Sequence, residues 1–204
     1  MSLDLTINEE NINESFKRIA YDLMNKWLLK IGSKLYRITE IEFYLKSESH
    51  DDIYTHGHPL QKEKGRWYFH GSGLDITFGT NDFYGGILIR AICDINDNKK
   101  YIYGPLNCVS EIFRNINIVY DTNTSFGLVP TEDIIEDETP IAARRVGLNA
   151  LKDPIKYNAF YRFLILPNRK HAEKTKIAES MKLQGYSDDE IKKNWVEMIA
   201  DWQT

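Results

Sequence analysis

The chain has 204 residues, of which 42% are hydrophobic and 12% aromatic, and its formal net charge at pH 7 is −4. This length and apolar content predict a single domain over residues 1–204 with its own buried core. Two cysteines are too few for a disulfide framework, and the acidic balance argues against a surface that binds nucleic acid on every side. No apolar run is long enough for a signal core or a membrane span. We therefore expect a cytoplasmic monomer that does not contact a membrane.

The first predicted elements are a helix and a long strand. Apolar residues recur every three or four positions from Ile12 onward, which predicts a helix over 12–31 that Gly32 ends. Alternating β-branched and aromatic residues then predict a strand over 34–45. The polar stretch 46–64 is predicted to be a loop, and long loops in compact domains are often functional.

The middle of the chain has the glycine punctuation of antiparallel hairpins. Three short runs rich in strand-forming residues are predicted to be strands: 65–70, 74–79 and 85–92. Gly104 and Pro105 then introduce a predicted helix over 106–113, because proline is tolerated in the first turn of a helix.

The last third of the chain is predicted to hold two short strands, over 143–148 and 158–166, and then C-terminal helices within 171–204. One helix covers 172–185, and the next begins at a capping box formed by Ser187 and Glu190. The apolar stripe of that last helix is Ile191, Trp195, Met198 and Trp202. Together these elements predict an α+β domain with a curved, mostly antiparallel sheet between N- and C-terminal helices.

Two carboxylates and a tyrosine, Glu40, Glu42 and Tyr44, alternate along the predicted strand 34–45 and therefore share one of its faces. The apolar residues between them point to the opposite side, as core residues do. The loop that follows can bring His56 over the polar face, which would make a pocket with a general base. A half-exposed strand with a solvated polar face fits the same pattern, so the alternation alone leaves both interpretations open.

Metal and cofactor chemistry lack a matching motif. The loop 46–64 contains three of the five histidines, together with Asp51 and Asp52, but their spacing matches none of the compact metal motifs. The chain has no GxSxG nucleophile elbow, no GxGxxG and no P-loop. We expect neither a metal nor a cofactor.

Seven short motifs follow one another in a recognisable order. They are EIEFYL (40–45), Asp52 with His56, LDITFG (74–79), ILIRAI (87–92), GPLNCV (104–109), RRVGL (144–148) and YRFLIL (161–166). Over residues 27–167 this order resembles the alkylpurine (3-methyladenine) DNA glycosylases, hydrolases of base excision repair that flip a damaged purine out of duplex DNA. The resemblance implies a glycosylase-like core at 27–167, with a fold like the C-terminal domain of formyltransferases.

The resemblance also implies roles for individual residues. Glu42 matches the catalytic glutamate, which activates a water for attack on C1′ of the flipped nucleotide, and Arg90 matches an arginine that supports this water. Tyr44 and His56 match the residues that stack on either side of the flipped base. The chemistry is coherent, because a carboxylate close to C1′ both orients water and stabilises an oxocarbenium-like transition state.

Two positions depart from the family pattern. Asp75 stands where the family has a further pocket tyrosine, and Phe78 stands where it has the tyrosine that wedges into the duplex. A phenylalanine can still act as a wedge, because apolar side chains commonly fill that role. We assign both residues to substrate binding. Asp52 is predicted to tie the loop so that His56 reaches the pocket.

Residues 140–176 hold nine lysines and arginines against two acids, which predicts a local basic face despite the negative net charge. DNA is therefore the expected partner, and Arg144 and Arg145 are the candidate phosphate contacts. Two alternatives remain open: a hydrolase that cleaves the N-glycosidic bond of a free nucleoside or nucleotide, and a non-catalytic module of the same fold that binds nucleic acid or a protein partner.

Overall fold

The computed structural model describes residues 2–97, 100–116, 125–132 and 135–193, and these ranges form an α+β fold around a curled antiparallel sheet. The strands are β1 (Trp27–Ile31), β2 (Lys34–Lys46), β3 (Trp67–His70), β4 (Gly73–Thr77), β5 (Tyr84–Asp94), β6 (Tyr101–Tyr103), β7 (Phe126–Pro130), β8 (Ile141–Ala143) and β9 (Arg162–Leu164). The helices are α1 (Ile12–Asn25), α2 (Pro105–Asn115), α3 (Pro154–Asn158) and α4 (Lys174–Leu183), with 3₁₀ turns at Glu9–Asn11 and Pro59–Lys62.

All the strand pairs in the described ranges are antiparallel, and the main path of the sheet runs β3, β4, β5, β2, β1, β7. Strand β6 pairs with β5, while β9 pairs with both β2 and β8. The long strands β2 and β5 form the centre of this sheet, and their register is irregular around Glu40. Such irregularities bend a strand and increase its twist, which is consistent with the curl of the sheet.

One face of the sheet packs against α1. The Asn11 side chain caps this helix by accepting a hydrogen bond from the Glu14 backbone N–H at 3.3 Å. Its apolar stripe then enters the core, where the Phe16 ring stacks on Phe43 of β2 with 4.2 Å between centroids. The core face of β2, predicted from the alternation, is thereby confirmed.

The predicted helix over 12–31 is wrong in its last turns. The helix ends at Asn25, and residues 27–31 form β1, which returns into β2 through a tight turn. Gly32 occupies that turn with φ of +60°, so it reverses a hairpin and does not end a helix. The strand β1 is buried almost throughout, so nearly all its residues are apolar. Some of these apolar residues fall at the spacing of a helix, which is why the pattern predicted one.

The two late strands differ from the prediction, because β8 ends at Ala143, where the first was predicted to begin, and β9 is shorter than the second. Residues 144–148 leave the sheet after β8, and only Arg162–Leu164 of the predicted 158–166 pairs as a strand. The helix that Gly104 and Pro105 introduce is confirmed as α2. β6 and β7 were not predicted.

The helix α4 covers the part of the sheet that β8 and β9 form. Ile177 and Met181 of α4 pack against Ile141 and Ala143 of β8 and Leu164 of β9. Beyond α4, the capping box is confirmed, because Ser187 and Glu190 exchange backbone-to-side-chain hydrogen bonds. Trp195, Met198 and Trp202 lie outside the described residues. No helix in the described part of the chain has the length and apolar character needed to cross a membrane.

Candidate active site

The polar face of β2 carries two buried carboxylates that share one arginine. Arg90 of β5 donates from Nε to Glu40 Oε1 at 2.9 Å and from Nη1 to Glu42 Oε2 at 3.2 Å. Burial tends to lower the pKa of Arg90, but the two carboxylates raise it above its ordinary value. Arg90 therefore stays charged and holds the two carboxylates side by side.

Glu42 is held by three donors. Besides Arg90, the Tyr44 hydroxyl donates to Oε2 at 2.8 Å and the Val146 backbone N–H donates to Oε1 at 2.7 Å. The Glu42 side chain is 0% exposed. An ionised carboxylate offers about four acceptor positions. Three donors fix the orientation of Glu42 and leave about one acceptor position for a water or a substrate.

The segment 144–148 leaves the sheet and contacts this site. It supplies the Val146 amide to Glu42 and the Leu148 side chain to the neighbouring cavity. A continued strand would have committed such amides to strand pairing. The failed strand prediction at 143–148 thus has a physical reason in the site itself.

Tyr44 separates Glu42 from the cavity. Its hydroxyl bonds Glu42, its ring lines the cavity, and the Arg145 guanidinium lies 4.6 Å from the ring centroid. Burial and the Glu42 carboxylate raise the pKa of the Tyr44 phenol well above its ordinary value. Tyr44 is therefore a neutral hydrogen-bond donor, and the cation beside the ring restricts its movement.

Behind Glu42, the Glu40 carboxylate is part of a second buried network. Arg162 donates to Glu40 Oε1 at 2.9 Å, and His171 Nδ1 lies 2.6 Å from Glu40 Oε2. Burial alone would raise the pKa of Glu40, but Arg162, His171 and Arg90 outweigh it and lower that pKa well below its ordinary value. Glu40 is thus an anion that helps to position Arg90 on Glu42.

A cavity of about 160 Å³ opens on the other side of Tyr44. Its lining is Tyr44, Tyr54, His56, Gln61, His70, Ser72, Asp75, Leu88 and Leu148. This volume is below the roughly 300–1,000 Å³ of sites for drug-sized ligands. The cavity suits one ring system such as a nucleobase.

The structure brings Tyr44, His56 and Asp75 to this cavity, as predicted. Asp75 and Glu42 both pair with Leu88 of β5, so they lie in one row across β4, β5 and β2, on either side of that strand. His56 is at the exposed mouth, with its ring edge-on to His70 at 4.4 Å. Burial and the neighbouring His70 lower the pKa of His56, so its ring is neutral at pH 7.

Asp52 ties down the loop that carries His56. Its carboxylate accepts from Arg145 Nη1 at 2.6 Å and from the Tyr54 backbone N–H at 3.1 Å. Both partners of the Asp52–Arg145 ion pair are 0% exposed. Tyr54 extends the same support, because its hydroxyl exchanges hydrogen bonds with the Asn149 backbone.

Two site predictions need correction. Phe78 is 0% exposed and packs against Phe16 and Phe83 in the core, so it cannot enter a duplex. Arg145 is committed to Asp52 and cannot meet phosphate. Arg144 forms an ion pair with Glu179 of α4, whose side chain is 53% exposed, and its contact with phosphate stays a prediction.

His50, which lies in the same loop, makes the stability of the protein depend on pH. Burial and the Lys156 ammonium group, 3.1 Å from the ring, lower the pKa of His50 to about 4. An unfolded histidine titrates near 6.5. Stability from neutral His50 is therefore complete above about pH 6.5 and is lost as the pH falls toward 4. Urea unfolding between pH 7 and 4 should show this loss, and His50→Gln should reduce its slope. An unchanged slope in the variant would contradict the assignment.

Sequence reasoning missed Gln61, which lies in the loop that carries His56, and Arg162 and His171, which reach the site from a distant part of the chain. The sequence contained one indication of such a role, at Arg162. Arg162 stands inside the apolar run YRFLIL, and a charge in such a strand is rarely buried unless it is paired. Among the described residues, no group of three or more histidine, cysteine, aspartate or glutamate side chains is placed to hold a metal ion.

Fold and site together define an α+β protein with a buried, arginine-bound glutamate beside a small polar cavity. No family model matches the chain. The chain is similar to an uncharacterized protein of Acanthamoeba polyphaga mimivirus, with 34% identity over 132 residues. The match covers 53% of this chain and 59% of the viral protein, so the chain spans less than two thirds of the length of that relative.

Proposed function

We propose that the protein is a DNA glycosylase-like hydrolase that releases a modified purine base, with Glu42 activating water for attack on C1′. The observation that carries this proposal is the position of Glu42. Arg90, Tyr44 and Val146 hold it behind a base-sized cavity. The curled antiparallel sheet between terminal helices supports, as part of the same proposal, a fold like the C-terminal domain of formyltransferases.

In the proposed reaction Glu42 acts as general base and as electrostatic stabiliser. Cleavage of an N-glycosidic bond develops positive charge on the sugar, which a nearby carboxylate stabilises. The water binds at the acceptor position of Glu42 that its three donors leave free. Because Glu42 has no exposed surface, this water has to enter from the cavity beside the Tyr44 hydroxyl.

Tyr44 and His56 would hold the extruded base. Taking a base out of the stack costs a few kcal/mol, and aromatic faces in the pocket offset that cost. The Arg145 guanidinium covers the Tyr44 ring from outside the cavity lining, so the ring is fixed before the base arrives. His56 at the mouth is neutral and can serve as the second flat face.

Extrusion from a duplex needs a side chain that fills the gap, and Phe78 is not available for it. We propose Leu151 for this role. It is 95% exposed, and its N–H bonds the side chain of Asn149, whose backbone is held by the cavity residue Tyr54.

Replacing Leu151 with alanine should slow base release from duplex DNA about tenfold, because part of the unstacking cost is no longer offset. Release from a free nucleoside should not change. The matched control is Leu183→Ala, since Leu183 is 72% exposed on α4 and makes no part of the cavity lining. Equal effects of Leu151→Ala on both substrates would contradict the wedge role.

Specific observations favour a second candidate, an N-glycoside hydrolase for a free nucleoside or nucleotide. Arg144 and Arg145 are bound to acidic partners, and Asp75 adds a carboxylate to the cavity wall. Both features weaken attraction for a phosphate backbone.

Base release from duplexes and from the matching free nucleosides separates the two candidates. A glycosylase should act faster on the duplex, and its DNA binding should fall steeply with salt. Turnover of nucleosides with no gain from the duplex would favour the second candidate. Absence of release from both substrate classes would contradict both.

A further inference from the structure

Asp75 is a carboxylate placed on the wall of the cavity. It lies on β4 opposite Leu88, in the same row as Glu42, and only 2% of its surface is exposed. Asp75 is one of the residues that line the cavity, together with its side-chain partners His70 and Gln61. A carboxylate this buried is costly unless donors surround it, and a ligand in the cavity is one source of donors.

Two neighbours fix how Asp75 presents its oxygens. His70 Nε2 lies 3.0 Å from Asp75 Oδ1, while His70 Nδ1 accepts from the Ser72 backbone N–H at 3.2 Å. Nδ1 is therefore the acceptor nitrogen, which leaves the proton on Nε2 to be donated to Asp75. His70 thereby holds Asp75 as a hydrogen-bond acceptor.

Gln61 approaches the other oxygen of Asp75. Its Oε1 accepts from the His58 backbone N–H at 3.1 Å, which orients the amide so that Nε2 faces Asp75 Oδ2 at 3.4 Å. The site depends on a glycine at position 86. A Cβ on Gly86 would lie 2.5 Å from Asp75 Oδ2 and 2.9 Å from Gln61 Nε2, too close for either side chain to keep its place.

The hydrogen-bonding capacity of Asp75 is only partly used by the protein. An ionised carboxylate is an acceptor only and has about four acceptor positions, and His70 and Gln61 occupy two. A ligand edge that carries an N–H group can fill a further position. An edge that carries only acceptors would face the carboxylate without a proton between them, which leaves buried polar groups unpaired.

From this geometry we propose that the cavity selects bases that present an N–H donor to Asp75, such as adenine, over bases whose matching edge has only acceptors, such as unsubstituted purine. This inference rests on the proposed function, since it concerns the same cavity, and it adds a class of substrate. For modified purines, it favours alkylated adenines that keep their amino group over ethenoadenine, in which that amino group is lost.

Binding of adenosine and of purine riboside to the wild-type protein, measured by calorimetry, tests this inference. The two nucleosides differ only in the amino group. Adenosine should bind at least about tenfold more tightly, as expected for a hydrogen bond to a charged acceptor. Asp75→Asn should reduce the preference to within about threefold, because an amide can rotate to donate as well as accept.

The matched control is Asp51→Asn, an exposed aspartate outside the cavity lining, which should keep the wild-type preference. Equal affinity of the wild-type protein for both nucleosides, no binding of either, or a preference that survives in Asp75→Asn would overturn the inference. The readout is binding, and it does not require base release. A protein that discriminates between the nucleosides but releases no base fails only the proposed function, and one that releases base without discriminating fails only this inference.

Discussion

Glu42→Gln should lower the rate of base release by about 10²- to 10⁴-fold, the range that loss of a general base typically gives. Glutamine is nearly isosteric, so it keeps the contact with the Arg90 guanidinium through its carbonyl oxygen but cannot accept a proton from water. Single-turnover release of base from a modified duplex is the appropriate measurement. The thermal unfolding of the variant should be recorded with it, because Glu42 is fully buried.

Glu111→Gln is the matched control for this substitution. Glu111 is also a buried glutamate with charged and phenolic partners, Lys100 and Tyr36, and neither partner lines the cavity. Its variant should release base at the wild-type rate. If Glu42→Gln is as fast as the control, Glu42 is not the general base.

Asp52→Ala should lower the free energy of unfolding by about 3–5 kcal/mol, because it leaves the Arg145 guanidinium buried without its acidic partner. For a chain of this size that loss corresponds to a decrease in Tm of about 6–20 °C. Equilibrium unfolding in urea measures the free energy directly. The loop with His56 should also lose its anchor, since Asp52 holds the Tyr54 backbone.

Asp51→Ala provides the comparison one residue away. Asp51 pairs with Lys46 at 3.0 Å, but its side chain is 64% exposed, so the loss should stay within about 1 kcal/mol. Similar losses in the two variants would mean that the Asp52–Arg145 pair does not anchor the loop.

The fold could be predicted where a local pattern determined the structure. The alternation along β2 identified both its core face and its polar face, and the Gly104–Pro105 pair identified the start of α2. The boundary between α1 and β1 could not be predicted in this way. Residues 27–31 keep an apolar spacing that a helix could also use, and only pairing with β2 and β7 selects the strand.

The site could be predicted only in part, for a related reason. Glu42 and Tyr44 lie two positions apart on one strand, so alternation alone puts them together. Arg162 reaches Glu40 across 122 positions of sequence, a distance over which no local pattern acts. The surface roles assigned to Phe78 and Arg145 were wrong because both side chains are buried. Burial depends on which other segments pack over a residue, and a local sequence pattern does not show those segments.

The most direct test of the proposed function is base release by the wild-type protein from duplexes that contain hypoxanthine, alkylated adenine or ethenoadenine, with the free nucleosides measured in parallel. We predict release of base from at least one modified duplex, with faster release of alkylated adenine than of ethenoadenine. We also predict that Glu42→Gln loses this activity. No release from any of these substrates by a folded protein would contradict the assignment of Glu42 and its cavity as a glycosylase site.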